Sequence, residues 1–230
     1  MTSQRRSVLR VGAAKSSEAG VIARDPMDTL IRPTKRPPRW AKLTRAEDIE
    51  CFAARLPAPY DDAFRVGCGT GLEPQVVLDL TLDELDLPRY EIIGLGTKSK
   101  TPERRVELCG TADGAAERLA KAARAANRVQ LFPEVDALGG KVTLHRMDKI
   151  FARVRAAFAA AGDKRFVGIV PYSARHTFCV MNLQGGATVQ EVSEQLGLAD
   201  ATMINATYGL YIPKSGRLRE ATAKATELNK

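Results

Sequence analysis

Pro26, Pro33, Pro37 and Pro38 fall between positions 25 and 39, interleaved with Arg32, Lys35, Arg36 and Arg39. Proline fixes φ and lacks a backbone N–H, so this density precludes a helix and leaves an extended, basic strap. The strap, taken as residues 25–42, separates a leading segment of residues 1–24 from a longer body that starts at Leu43. Val8, Leu9, Val11, Ala14, Val21 and Ile22, spaced by small and charged residues, give the leading segment the pattern of a single helix. The body is long enough to bury a substantial core, and 44% hydrophobic with 27% charged residues is the balance of a globular chain.

Charge is concentrated at the same end. Of the 35 basic and 27 acidic residues that make the chain +8, eleven basic and three acidic ones lie in residues 1–45. The first 45 residues therefore carry the whole excess, which points to a polyanionic partner such as nucleic acid or an anionic surface. The first thirty residues lack the apolar core of a signal peptide, and no run approaches the roughly 18 apolar residues of a membrane span, so a cytoplasmic protein with no membrane partner is expected. Cys51, Cys68, Cys109 and Cys179 form no Cys-x-x-Cys pair and have only His145 and His176 as imidazole companions. No metal, no other cofactor and reduced thiols are expected.

Within the body, Thr44 with Glu47 has the form of a capping box ahead of Ile49, Phe52, Ala53 and Leu56. Helices are expected over Tyr60–Val66 and Pro74–Leu80. The period then changes: Tyr90–Leu95 and Arg104–Leu108 read as two strands of a hairpin, whose tip carries Lys98 and Lys100. Helical spacing returns over Ala115–Ala126 and Leu144–Ala161, and three short helices broken at Gly185-Gly186 and Gly197 complete the body. The expected class is mainly α with a small antiparallel β-sheet. Gly67-Cys68-Gly69-Thr70-Gly71 fails the dinucleotide fingerprint because Leu72 stands where the third glycine belongs. It reads instead as a helix end that needs close packing or a positive φ. Residues 188–202 have the outline of a helix-turn-helix, but Asp200, Ala201 and Thr202 open its second helix where base-reading side chains are usual.

Pro171-Tyr172-Ser173-Ala174-Arg175-His176-Thr177-Phe178, followed by Leu196-Gly197-Leu198 and Asn205-Ala206-Thr207-Tyr208-Gly209-Leu210-Tyr211, resembles the C-terminal box of the tyrosine recombinase, or phage integrase, family. Thr70-Gly71-Leu72-Glu73 through Leu87 resembles the family's first box, and Gly96–Lys100 with Arg104–Leu108 its lysine hairpin. Asp25-Pro26-Met27 with the strap resembles its interdomain join. The resemblance implies a catalytic domain over residues 43–213, followed by a tail, 214–230, and preceded by a shortened remnant of a core-binding domain. It also implies a mobile-element protein that binds double-stranded DNA, forms homo-oligomers on it, and cleaves and rejoins strands through a 3′-phosphotyrosyl intermediate.

On that resemblance Tyr208 is the nucleophile, with Tyr211 as second choice. A phenol with an ordinary pKa near 10 attacks the phosphodiester, while guanidinium forks hold the non-bridging oxygens. Arg175 takes the second arginine position, and Tyr172 takes a histidine position from which a hydroxyl can still donate to phosphate. Lys98, with Lys100 as fallback and DNA contact, protonates the leaving 5′-oxygen. Arg32, Lys35, Arg36, Arg39 and Lys42 are expected to line the phosphate backbone. The pattern departs at Glu73, where the first arginine belongs, and at Leu198, where a histidine is usual. Losing one oxyanion donor costs about 10² to 10³ in rate, so cleavage is expected to be weak or lost unless Arg65, Arg89 or a partner's arginine substitutes. His176 is expected to be a packed, hydrogen-bonded residue. A catalytically inert DNA-binding regulator that uses residues 188–211 is the alternative.

Overall fold

The computed structural model describes residues 41–94 and 104–213; the expected leading helix, the strap up to Arg39, the hairpin tip with Lys98 and Lys100, and the tail lie outside them. Five phenylalanines far apart in sequence meet at the centre of the body. The Phe52 ring lies 5.3, 5.2 and 5.4 Å from those of Phe64, Phe151 and Phe166, and the Phe158 ring lies tilted 4.2 Å from that of Phe166. Four of the five are fully buried, and each such ring contributes about 1.5–3 kcal/mol by leaving water.

Four of the rings are delivered by helices whose apolar positions recur at helical spacing, and Phe166 by a turn between two of them. Helix α1 spans Ala46–Ala53 and buries Ile49, Phe52 and Ala53; α2 spans Tyr60–Thr70; α3 spans Pro74–Leu78 with its proline in the first turn. Helix α4 spans Thr111–Ala125, and α5, Leu144–Ala160, buries Met147, Ile150, Phe151, Val154 and Phe158 along one face. Helix α6 spans Ser173–Gly185, α7 Val189–Leu196 and α8 Thr202–Tyr208; a 3₁₀ turn, Gly209–Tyr211, follows. The last three helices gather a second apolar cluster of Phe178, Cys179, Val180, Leu183, Val192, Leu196, Ile204 and Tyr208.

The small sheet is antiparallel with three strands in the order β1, β2, β3: Leu85–Asp86, Glu91–Ile92 and Val106–Glu107. Leu85 pairs with Ile92, which pairs with Val106. The class is thus mainly helical with a small antiparallel sheet, as the periodicity implies. A two-stranded hairpin was too simple, because β1 is two residues long, set between 3₁₀ turns at Leu82–Glu84 and Leu87–Arg89, and shows no alternation to read.

Two helix boundaries also differ from the sequence reading. Helix α1 starts at Ala46 behind Arg45, which makes no side-chain cap, so the Thr44/Glu47 capping box does not form. Helix α2 continues four residues past Val66 through glycines that packing requires. A Cβ on Gly69 would overlap the Cys109 carbonyl and Ala112, and one on Gly67 would come within 2.9 Å of Ala174 Cβ. Removing those side chains lets α2 lie directly against α4 and α6. Among the described residues, no helix is long and apolar enough to cross a membrane.

Candidate active site

Arg175, in the first turn of α6, is 9% exposed, and its guanidinium ties together the ends of two other helices. Nη1 donates to the Gly71 carbonyl at 2.8 Å and Nη2 to the Leu196 carbonyl at 3.3 Å. Gly71 closes α2 at φ 71° and Gly197 closes α7 at φ 68°, both in the left-handed region that glycine enters without strain. Helix ends leave carbonyls unpaired and carry partial negative charge, so a cation placed between two of them is held in position and orientation. Two of the five guanidinium N–H donors are engaged in this way.

His176 follows, also buried, with Nδ1 in a short hydrogen bond to the Tyr208 hydroxyl at the end of α8. Burial, together with the charges of Lys42 and Arg175, pulls the imidazole down to about 4. It is therefore neutral at pH 7, and in the Nε2–H tautomer Nδ1 accepts from the phenol. Tyr208 is 7% exposed; burial raises its pKa above the ordinary 10.0, the neighbouring Cys179 thiol adds to the rise, and Arg175 opposes it. Burial likewise pushes the Cys179 thiol up to about 11. The Tyr172 ring stands edge-on to His176 at 5.3 Å and is 42% exposed, which leaves it at the mouth of the cluster. Arg175, His176, Tyr208 and Tyr172 thus converge where α6, α7 and α8 meet the end of α2.

Of the other expected residues, Lys42 is half-buried with its ammonium 4.8 Å over the Tyr211 ring, so the second-choice tyrosine is a packing partner of that lysine. Leu198 packs against the second apolar cluster. Glu73 is exposed at the start of α3, caps no backbone N–H, and shares a cleft with Tyr172. Arg65 is held on another face by Glu50, Asp61 and Asp62 at 3.0–3.2 Å, and Arg89 pairs with Asp86 at 3.1 Å. Both are engaged by carboxylates.

A residue that the sequence reading did not single out, Arg104, lies at the same helix end. It sits just before β3, half-buried, with its guanidinium against Gly197, the residue after the carbonyl that holds Arg175. Its Nε is buried and makes no hydrogen bond. Burial and the like charge of Arg175 lower its pKa, while Glu73 acts in the opposite direction. The signal was present in the alternation: Val106 and Leu108 are buried, Arg105 and Glu107 exposed, and the same two-residue period turns Arg104 inward.

No protein-family model matches the sequence, and no curated protein is detectably similar to it. Solved structures do resemble the fold. The Tn1549 transposon integrase, in complex with circular-intermediate DNA, superposes with a TM-score of 0.61 at 20% identity, covering 97% of this chain and 79% of that one. The catalytic domain of bacteriophage HP1 integrase gives 0.55 at 20% identity over 80% of this chain and 94% of that domain. The XerH site-specific recombinase bound to its difH substrate gives 0.56 at 20%, covering 80% of this chain and 53% of the other. The chain has the tyrosine recombinase, or integrase, fold, and the part of that fold it matches most completely is the catalytic domain.

Proposed function

We propose that the chain is a DNA-binding protein of the tyrosine-recombinase type, with Arg175 holding a DNA phosphate and Tyr208 as the nucleophile of a slow strand-cleavage and rejoining reaction. The observation that carries this reading is the contiguity of Arg175, His176 and Tyr208. An arginine fixed by two helix ends stands next in the chain to a buried imidazole that is hydrogen-bonded to a phenol. The reaction needs these parts: the phenol oxygen forms a bond to phosphorus, its proton passes to His176 Nδ1, the bond from phosphorus to the 5′-oxygen breaks, and that oxygen takes a proton. Lys98 is the proposed donor, Tyr172 and Lys100 are proposed phosphate contacts, and Arg32, Lys35, Arg36, Arg39 and Lys42 are proposed to bind the phosphate backbone of the duplex.

The same geometry accounts for low speed. A phenol raised by burial is a weak acid, and an imidazole held near 4 is a weak base, so proton transfer between them is unfavourable. Glu73 supplies a carboxylate where the resemblance expects a cation, and Leu198 replaces an imidazole with an aliphatic side chain. The regulator reading has less support, because the end of α8 is spent on His176 and its start is capped by Asp200, whose carboxylate accepts from Thr202 N at 2.7 Å. Duplex binding measured by fluorescence anisotropy across a salt series tests the proposal. Arg175→Ala is expected to weaken binding by tenfold or more at low salt, and equal affinity of variant and parent would refute the placement of phosphate at Arg175.

A further inference from the structure

We infer that Arg104 is a second phosphate-holding arginine, so that Arg104 and Arg175 form a two-guanidinium anion site for a phosphodiester. This rests on the proposed recombinase-type function and relocates its missing first arginine from the start of α3 to the approach to β3.

Geometry carries the inference. Arg175 donates to the Leu196 carbonyl, and the Arg104 guanidinium lies against the next residue, Gly197, so the two cations flank a single helix end. Glycine suits this position because its φ is positive, and a side chain there would push the Arg104 guanidinium aside. An arginine recruited only to support the fold would be expected to spend its donors on carboxylates or carbonyls, as Arg65 and Arg146 do. Arg104 does not, for its buried Nε has no acceptor. Two like charges in a partly desolvated place repel each other, and an unsatisfied buried donor is costly. A phosphate held by the guanidiniums neutralises that like charge.

Two arms test this on the full chain. In the first, inorganic phosphate is titrated and melting temperature recorded. Phosphate is expected to stabilise the parent, and Arg104→Ala to raise the apparent phosphate dissociation constant by tenfold or more. Arg104→Gln, which keeps the stem and amide donors, guards against misfolding and is expected to behave similarly, while Arg104→Lys retains part of the response. In the second, a nicked duplex traps covalent adduct. Arg104→Ala is expected to slow adduct formation by about 10² to 10³, and Glu73→Arg added to Arg104→Ala to restore part of the loss by returning a guanidinium from the other side. If Arg175→Ala abolishes the phosphate response while Arg104→Ala and Arg104→Gln leave it intact, the inference is overturned and the recombinase-type reading stands. If the parent shows neither a phosphate response nor an adduct, both fail.

Discussion

Arg175→Lys should destabilise the fold as well as weaken DNA binding, and the size of the effect follows from the two carbonyls that Arg175 spans. The guanidinium reaches the Gly71 and Leu196 oxygens at once, at 2.8 and 3.3 Å, from a fixed planar fork. An ammonium is a compact point donor on a flexible stem and cannot reproduce both bonds while also facing a phosphate. At least one charge-assisted bond is lost and one helix-end carbonyl is left buried without its partner, which costs about 1.5–3 kcal/mol. For a domain of this size each kcal/mol lowers the melting temperature by about 2–4 °C, so a fall of about 3–12 °C is expected. Thermal unfolding followed by circular dichroism, with a urea titration alongside, measures it. A melting temperature within 1 °C of the parent (roughly the resolution expected from a shift of a few tenths of a kcal/mol) would show that Arg175 is not the latch between α2 and α7, and the claim that its geometry is preset for phosphate would fall with it.

Replacing Arg32, Lys35, Arg36, Arg39 and Lys42 with serine should flatten the dependence of log affinity on log salt, by about 0.9 for each phosphate that is no longer neutralised; an unchanged slope rules the basic segment out as the electrostatic anchor. The Asp136 carboxyl is held well below its ordinary value of 3.8 by its hydrogen bond to Arg146 and by backbone N–H groups of Gly140 and Leu138. It stabilises the fold fully above 3.8 and loses that contribution as pH falls toward its folded value, so Asp136→Asn should flatten the acid limb of the stability curve, and an unaltered limb contradicts the assignment. His176 is depressed from 6.5 to about 4, so the unfolded chain takes up its proton first and stability should fall as pH drops from 6.5 to 4. His176→Gln should remove that part of the slope, whereas a histidine titrating near its ordinary 6.5 by NMR would refute the buried, neutral imidazole.

Much of the fold was legible because it rests on helical spacing of large apolar residues: Met147, Ile150, Phe151, Val154 and Phe158 mark the buried face of α5 without ambiguity. The glycine cluster was legible for a related reason, since glycines at 67, 69 and 71 serve two close helix contacts and one positive φ. What resisted reading depends on tertiary partners. Thr44 satisfies the capping pattern, yet the helix begins beyond it, next to Leu43, whose N–H donates to the Thr177 hydroxyl at 2.9 Å. Two-residue strands carry too little alternation to announce themselves. In the site, Arg175 and Tyr208 stand in recognisable motifs, whereas Arg104 shows in the sequence only as an inward position of a short alternation, and its place against Gly197 comes from the fold. Lys42, read as part of a strap, lies over Tyr211 and acts on His176, a juxtaposition that residues so far apart in sequence do not reveal.

The central claim, that this pocket holds a DNA phosphodiester with Tyr208 poised to attack it, is tested most directly by covalent trapping on a nicked suicide duplex, with the attached peptide mapped by mass spectrometry. A slow 3′-phosphotyrosyl adduct is expected on the parent chain, abolished by Tyr208→Phe and preserved by Tyr211→Phe. An adduct that survives Tyr208→Phe and disappears with Tyr211→Phe would contradict the nucleophile assignment, and the absence of any adduct at saturating DNA would contradict strand cleavage itself.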